Sequence, residues 1–145
     1  MSVFIDTNIL LRAAQPLHAL HETAIHSVSS LIASGEALMV TPQVLAEYWN
    51  AATRPTAKNG LGLSQDRTRE ELARLESFFT VLNESFDVYQ EWKRLVMSHG
   101  VSGVQVHDTR LVAAMLVYKI PRILTFDADD FTRYTQIEIL RPGTF

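Results

Sequence analysis

The chain has 145 residues, of which 47% are hydrophobic and 20% are charged. A chain of this length buries about two thirds of the surface that its unfolded form exposes, which excludes general disorder and predicts a single domain over residues 1–145. The absence of cysteine excludes disulfides, thiolate zinc sites, iron–sulfur clusters and a cysteine nucleophile. The net charge of -3, from 16 acidic and 13 basic residues, gives no indication of a nucleic-acid partner. Without a signal-like or membrane-length apolar run, the sequence predicts a cytoplasmic protein.

Short apolar, β-branched runs alternate with stretches of helical periodicity. The runs that predict strands are 3–5, 37–40, 80–82, 122–126 and 137–140. Helices are predicted through 25–32, through 42–51 with Thr41 as the N-cap, through 72–79, from the cap Ser85 to Gly100, and through 107–118. This alternation favours an α/β fold, with a parallel sheet covered by helices on both faces. Residues 54–64, which contain a proline and two glycines, predict a mobile loop within the domain.

Carboxylates stand at the ends of the apolar runs. Asp6 follows the first predicted strand and Asp127 follows the fourth. The carboxyl ends of parallel strands form the ligand crevice of an open sheet, so both acids are expected at the same edge. Glu47 lies about two turns into the helix that opens at Pro42, and Asp108 opens the apolar helix after Gly103.

Each acid taken alone also has an ordinary structural interpretation. Asp6 can cap a helix, and Asp108 can be stabilised by the dipole of the helix that it opens. Glu47 can lie on a solvated helix face. Together they are harder to explain, because two like charges 4 Å apart cost about 4 kcal/mol at an effective dielectric near 20. A divalent cation removes that cost, and a shell made only of oxygen favours Mg²⁺ or Mn²⁺ over zinc. Metal-assisted phosphoryl chemistry is therefore the leading class.

The same residues carry a family resemblance that spans essentially the whole chain. The segment 4–10 (Phe-Ile-Asp-Thr-Asn-Ile-Leu), Glu47, the pair 107–108 and the segment 124–131 resemble the four motifs of PIN-domain ribonucleases. Within that family the sequence is most similar to the VapC toxins of type II toxin–antitoxin systems. The resemblance implies an α/β/α sandwich around a parallel five-stranded sheet of order 3-2-1-4-5. It also implies Mg²⁺- or Mn²⁺-dependent hydrolysis of RNA, leaving a 5′-phosphate and a 3′-hydroxyl.

Carried over residue by residue, the resemblance assigns a catalytic acidic quartet that holds the metal: Asp6, Glu47, Asp108 and Asp127. Asp6 and Asp108 would be the firmest ligands, and Glu47 and Asp127 would bind directly or through water. Asn8 and Thr125 would orient carboxylates and water, with turn and cap chemistry as the alternative. Several acids crowd the fourth motif. Asp127 is preferred because it comes first after the strand, whereas Asp130 is expected to cap the next turn.

Basic residues near these motifs suggest an RNA-binding surface. The segment 54–69 contains four basic residues and only one acidic residue. This segment, aided by basic residues near two of the acids, is expected to form one wall of a groove for single-stranded RNA. The candidate RNA-binding residues are Arg12, Arg54, Lys58, Arg67 and Arg110, with Arg69 in the same segment. The alternative is a solvated loop and helix start. The neighbouring Tyr48 and Trp49 are expected in the core.

Two other functions fit parts of the pattern. A haloacid-dehalogenase-like phosphatase would explain Asp6 after a strand, but it requires an aspartate at position 8, where this chain has Asn8. A non-catalytic PIN-like RNA-binding module is disfavoured because all four acids are present. The three histidines at 18, 21 and 26 do not have the spacing of a zinc site.

The resemblance also implies partners. VapC-like proteins usually bind a small antitoxin protein that covers the acidic crevice, and they commonly form homodimers. Apolar residues of the first two helices are the expected antitoxin surface: Leu10, Leu11, Leu17, Leu20 and Ile25.

Overall fold

The computed structural model describes residues 1–145 and contains five strands and six α-helices. In chain order these are β1 (Ser2–Ile5), α1 (Thr7–Ala13), α2 (His21–Ala33), β2 (Ala37–Val40), α3 (Pro42–Thr53), α4 (Gln65–Phe78), β3 (Thr80–Val81), α5 (Phe86–His99), α6 (Gln105–Val117), β4 (Arg122–Leu124) and β5 (Glu138–Leu140). Short 3-10 turns occupy Thr56–Lys58 and Ala128–Phe131. No helix is both long enough and apolar enough to cross a membrane.

The five strands form one parallel sheet in the order 3-2-1-4-5, which confirms the expected fold class. The central strand is β1, whose Phe4 aligns with Met39 of β2 and with Ile123 of β4. The first strand in the sequence is therefore flanked by the second and the fourth. A switch of strand order at this point opens a crevice at the carboxyl ends of β1 and β4.

The core lies on both faces of this central strand. Val3, Phe4 and Ile5 have no solvent exposure, as expected for a parallel strand covered by helices on both sides. The apolar helix α6 is buried with them through Val112, and Tyr48 of α3 is buried as predicted. Trp49 is only half-buried.

Helix ends follow the expected chemistry at α5 but not at α3. Ser85 accepts a hydrogen bond from the backbone N–H of Val88, and Gly100 ends α5 in the left-handed region with φ of 61°. Thr41 stands at the N-cap of α3, yet its side chain makes no cap hydrogen bond. Its Oγ1 is buried without a partner. Thr41 is therefore the N-cap residue and Pro42 the first helical position, as predicted, but the Thr41 hydroxyl does not cap the helix N–H groups.

The segment 54–64, predicted as a mobile loop, is a loop whose backbone bonds to the neighbouring helix α3. This segment folds back onto α3, where the backbone N–H groups of Leu61 and Leu63 donate to the carbonyls of Ala51 and Ala52 at 3.0 and 2.9 Å. A Cβ added at Gly60 would lie 1.9 Å from the carbonyl oxygen of Arg54. Glycine is therefore placed here for close backbone approach in an ordered turn, not for flexibility.

The predicted fourth strand is two residues too long. β4 ends at Leu124, and Thr125 and Phe126 turn toward the crevice instead of extending the strand. Their polar groups bond the side chains of Asp6, which follows β1, and of Asn8 in α1, so the shortened strand supplies part of the site.

Candidate acidic active site

The carboxyl ends of β1 and β4 bring Asp6 beside the segment that follows β4. Asp6 is 6% exposed, and its Oδ1 accepts a hydrogen bond of 2.8 Å from the backbone N–H of Thr7. Its Oδ2 accepts one of 2.8 Å from the Thr125 hydroxyl. Asp6 is thus the N-cap of α1, as its ordinary interpretation predicted, and it also faces the crevice.

The Asn8 amide connects the two strand ends. Its Nδ2 donates to Asp127 Oδ2 at 3.1 Å and to Thr125 Oγ1 at 3.2 Å, and it lies 3.3 Å from Asp6 Oδ2. Its Oδ1 accepts from the backbone N–H of Phe126 at 3.1 Å. Asn8 therefore contacts both carboxylates, and Thr125 contacts the carboxylate of Asp6 and the backbone N–H of Asp127, which is the arrangement expected of orienting groups.

Glu47 of α3 is half-buried, and each of its carboxylate oxygens has a donor. Oε2 accepts from the Thr7 hydroxyl at 2.8 Å, and Oε1 accepts from the Gln43 side-chain amide at 2.9 Å. The alternative that Glu47 lies on a solvated face is therefore wrong. The Thr7 contact links Glu47 to the residue that follows Asp6.

Asp108 lies in the first turn of α6, and burial raises its pKa to about 7. Burial also raises the pKa of Asp6 to about 6, although its hydrogen bonds from Thr125 and Thr7 oppose this change. Neighbouring negative charges are the smaller contributors to the raised pKa of Asp108, in the order Asp6, Asp130, Glu47 and Asp127. The carboxylates from separate elements are thus close enough to repel one another.

Two acids of the fourth motif border the crevice in different ways. Asp127 accepts the Asn8 hydrogen bond and so lies on the Asp6 side. Asp130 lies in the 3-10 turn Ala128–Phe131, and it raises the pKa of Asp108 more than Asp127 does. The side chain of Asp129 is 97% exposed. Both Asp127 and Asp130 therefore remain candidates for the fourth acid.

The chemistry of the donor set fits a hard divalent cation. The acids offer only oxygen, and the burial and mutual repulsion that raise the pKa values of Asp6 and Asp108 are relieved by a positive charge. In this conformation, however, no three acid or histidine side chains are arranged to hold a metal ion together. The acids are gathered, but the coordination geometry is not preformed.

The basic residues expected to bind RNA are dispersed. Arg110 pairs with Glu84, and both border a polar cavity of about 460 Å³ that also contains Glu47. Arg12 donates to Gln15, which lies beyond the end of α1. Of the candidates, Arg110 is the one that lines a cavity together with a site acid.

The basic residues of 54–69 have other contacts. The Arg54 guanidinium donates to the carbonyl of Asn59 within the folded turn, and Lys58 is exposed on that turn. Arg67 pairs with Glu71, and Arg69 pairs with Asp66. Arg54, Arg67 and Arg69 are therefore each engaged by a neighbour within their own turn or helix.

Three residues that contact the site were not singled out from the sequence. Thr7 lies within the first motif, and Gln43 lies one turn before Glu47, so helical spacing is a signal that identifies it. Glu84 accepts from the backbone N–H of Gln43 at 3.0 Å and also binds Arg110. No local sequence pattern points to Glu84, because its contacts depend on the packing of separate helices.

A separate apolar groove of about 450 Å³ lies between α1, α2 and α4. Leu10 and Ile25, two of the residues expected at an antitoxin surface, line it. Leu11, Leu17 and Leu20 do not, and α4 contributes residues that the sequence had not suggested, among them Leu75 and Phe78. We call this surface the helical groove.

The PIN domain family model matches residues 3–136. The chain belongs to the PIN domain family. No curated protein sequence matches it significantly. The fold of this PIN domain is similar to VapBC2 from Rickettsia felis bound to a promoter DNA fragment, with a TM-score of 0.73 at 14% identity over 97% of this chain and 98% of the other. The corresponding values for FitAcB from Neisseria gonorrhoeae are 0.70 and 18%, over 100% of both chains.

A third similar structure is VapC20 from Mycobacterium tuberculosis, a toxin that cleaves the sarcin–ricin loop. Its TM-score is 0.64 at 24% identity, over 94% of this PIN domain and 98% of the other chain. The expected resemblance to PIN domains and to VapC toxin structures is therefore confirmed. At these identities the structural similarity itself establishes the fold.

Proposed function

We propose that this PIN domain is a magnesium- or manganese-dependent endoribonuclease and the toxin of a toxin–antitoxin pair. The observation that carries the proposal is the gathering of Asp6, Glu47, Asp108 and Asp127 at one edge of the sheet of a PIN-family chain. Its structural neighbours include a toxin that cleaves an RNA loop. Because the proposed substrate is RNA, we also propose that the protein acts in the cytoplasm.

In the proposed reaction, the residues of the chain position the acids and control their protonation. When bound, a divalent cation supplies Lewis-acid polarisation of the phosphate and makes water more acidic. Asp6 and Asp108 would hold the cation in their ionised forms, because its positive charge would offset the burial and the repulsion that raise their pKa values. Thr125 and Asn8 hold Asp6 and Asp127 in place, and Glu47 is available to orient the attacking water.

The first test is cleavage of a single-stranded RNA oligonucleotide in Mg²⁺ or Mn²⁺. Asp6→Asn and Asp108→Asn are each expected to reduce the rate by about 100-fold or more, because even residues that only orient metal ligands contribute 10–100-fold. A chelator should abolish cleavage. Asp66→Asn, which changes an exposed carboxylate on α4, is the matched control and should cleave normally. Cleavage that persists in both site variants would exclude the assignment.

Companion substrates test the alternatives with the same preparation. A DNA oligonucleotide of the same sequence tests the preference for RNA. A phosphomonoester tests the phosphatase, which is disfavoured because the Asn8 amide is engaged with Asp127, Thr125 and Phe126 and, unlike an aspartate, does not act as a general acid or base. Failure of wild-type protein to cleave any nucleic acid while it still binds RNA would favour the non-catalytic module. Parallel Asp127→Asn and Asp130→Asn variants identify the fourth acid.

The helical groove supports the proposed antitoxin partner, because it is apolar and separate from the acidic site. Ile25 and Phe78 line it and are 41% and 64% exposed. An apolar segment of an antitoxin would bury these side chains, at about 25 cal/mol per Å². The homologous toxin structures are complexes with their antitoxins, which supports the same kind of partner here.

Ile25→Asp and Phe78→Asp should weaken an antitoxin complex by at least about 10-fold while leaving RNA cleavage intact. The measurement is the affinity for a candidate antitoxin encoded beside this gene. Phe86→Asp, at a 68% exposed position of α5 outside the groove, is the control. Unchanged binding of both groove variants would place the partner elsewhere. Sedimentation of the free protein tests the proposed homodimer.

A further inference from the structure

The Gln43 side chain occupies a position between two of the acids. Gln43 follows Pro42 in the first turn of α3 and is 8% exposed. Its Nε2 donates to Glu47 Oε1 at 2.9 Å and to the carbonyl oxygen of His107 at 2.9 Å. Both neighbours are acceptors, so the amide must present its nitrogen to them, and the two hydrogens of the NH₂ group serve both.

These two bonds connect different parts of the acidic site. Glu47 is held on its other oxygen by the Thr7 hydroxyl, so the Gln43 bond completes a pair of neutral donors that fixes the carboxylate. The His107 carbonyl belongs to the residue before Asp108. One amide therefore couples the acid of α3 to the first turn of α6, which carries Asp108.

A second connection supports the same spacing. The backbone N–H of Gln43 donates to Glu84 Oε1 at 3.0 Å, and Glu84 also binds Arg110 of α6. The start of α3 is thus fastened to α6 both directly and through Glu84. Movement of either helix would disturb all of these contacts together.

Packing alone does not account for an amide at this position. Gln43 Oε1 is buried and has no hydrogen-bond partner, and an unpaired buried oxygen is unfavourable. A methionine has a similar length and would fill the space without that oxygen. An amide at position 43 is thus explained by the hydrogen bonds that its nitrogen donates to Glu47 and to the His107 carbonyl.

We propose that Gln43 is a positioning residue that sets the orientation of Glu47 and its spacing from Asp108 for divalent-cation binding. This inference rests on the proposed function. Gln43 does not coordinate the cation in this scheme and acts through Glu47. Neutral hydrogen bonds of this kind orient a metal-binding carboxylate without adding charge to the site.

The test measures Mn²⁺ binding directly, from the electron paramagnetic resonance signal of the free ion, so that it does not depend on catalysis. Gln43→Met should weaken Mn²⁺ binding by about 10–100-fold. The matched control is Thr68→Val, which removes the buried 2.7 Å hydrogen bond from Thr68 to Ser64 on α4. The control should lower the unfolding temperature without changing Mn²⁺ affinity. Gln43→Asn, whose shorter amide cannot reach both partners, provides a second variant.

A double-mutant cycle shows whether Gln43 acts through Glu47. In a Glu47→Gln background, Gln43→Met should cause no further loss of Mn²⁺ affinity. Wild-type affinity in Gln43→Met and Gln43→Asn, additive losses in the cycle, or no Mn²⁺ binding by wild-type protein would each overturn the inference. Wild-type protein that binds Mn²⁺ with the expected variant pattern but cleaves no RNA would contradict the proposed function and leave this inference standing.

Discussion

At the residue scale, the site depends on uncharged side chains that connect charged ones. Thr125 is the central example, because its hydroxyl donates to Asp6 and accepts from the Asn8 amide and from the backbone N–H of Asp127. One buried hydroxyl thus fixes two acids from neighbouring strands. Hydrogen bonds to the ionised form are also what opposes the rise in the pKa of Asp6.

Thr125→Val keeps the shape of the side chain but removes all three contacts. It should weaken Mg²⁺ binding about 10–100-fold and raise the pKa of Asp6 further. It should also destabilise the protein by about 1–3 kcal/mol, because buried polar partners lose their bonds. Calorimetric Mg²⁺ titration and urea unfolding measure the two effects. Thr132→Val, at an exposed position outside the site, is the control. Wild-type Mg²⁺ affinity in Thr125→Val would contradict this role.

At the scale of secondary-structure elements, the sequence predicted the features that depend on short stretches of chain. Alternating apolar runs predicted the strands of 3–5 and 37–40, because burial and backbone pairing depend on short sequence windows. Strand order came from the family resemblance. The contact of Gln43 with Glu47 follows from helical spacing, but its contacts with His107 and Glu84 were not predictable, because they arise only when separate parts of the chain pack together.

The segment 54–64 shows the limit of composition as a guide. Proline and glycine suggested mobility, but backbone hydrogen bonds to α3 hold the segment in place. Whether glycine supplies flexibility or close approach depends on the neighbouring atoms, which the local sequence does not specify. Here the deciding neighbour is the Arg54 carbonyl.

Gly60→Ala tests this interpretation. The added Cβ would lie 1.9 Å from the Arg54 carbonyl oxygen, so the turn must shift and lose part of its bonding to α3. We expect a loss of about 1–3 kcal/mol in the free energy of unfolding, measured with urea. Lys58→Ala, at an exposed side chain in the same turn, should change stability by less than about 0.5 kcal/mol. Equal stability of the two variants would mean that the segment is not held as described.

At the scale of the whole molecule, placing the acids close together lowers the stability of the folded protein, and other interactions of the fold must offset this loss. The pKa of Asp6 rises from 3.8 to about 6, and that of Asp108 rises from 3.8 to about 7. Between these values the folded protein binds more protons than the unfolded chain. The contribution of both groups to stability therefore falls as the pH rises from about 4 to about 7.

In a chelator, Asp108→Asn should therefore stabilise the protein at pH 8, by about 1–2 kcal/mol after allowance for solvent screening. The gain at pH 4 should be much smaller, because Asp108 is then protonated in the folded protein. Urea unfolding of wild-type and variant protein at both pH values measures the difference. Added Mg²⁺ should stabilise wild-type protein more at pH 8 than at pH 4. A pH-independent difference between the two proteins would show that Asp108 titrates normally.

The central position of β1 also has a consequence for synthesis of the protein. Its neighbour β4 is made about 120 residues later, and Asp127 follows it. The crevice is thus closed by a segment that is synthesised after Asp6, Glu47 and Asp108. A nascent or prematurely terminated chain that ends before Arg122 lacks both β4 and the fourth acid. Under the proposed function, a ribosome making this enzyme is not exposed to its activity until β4 and Asp127 have been synthesised.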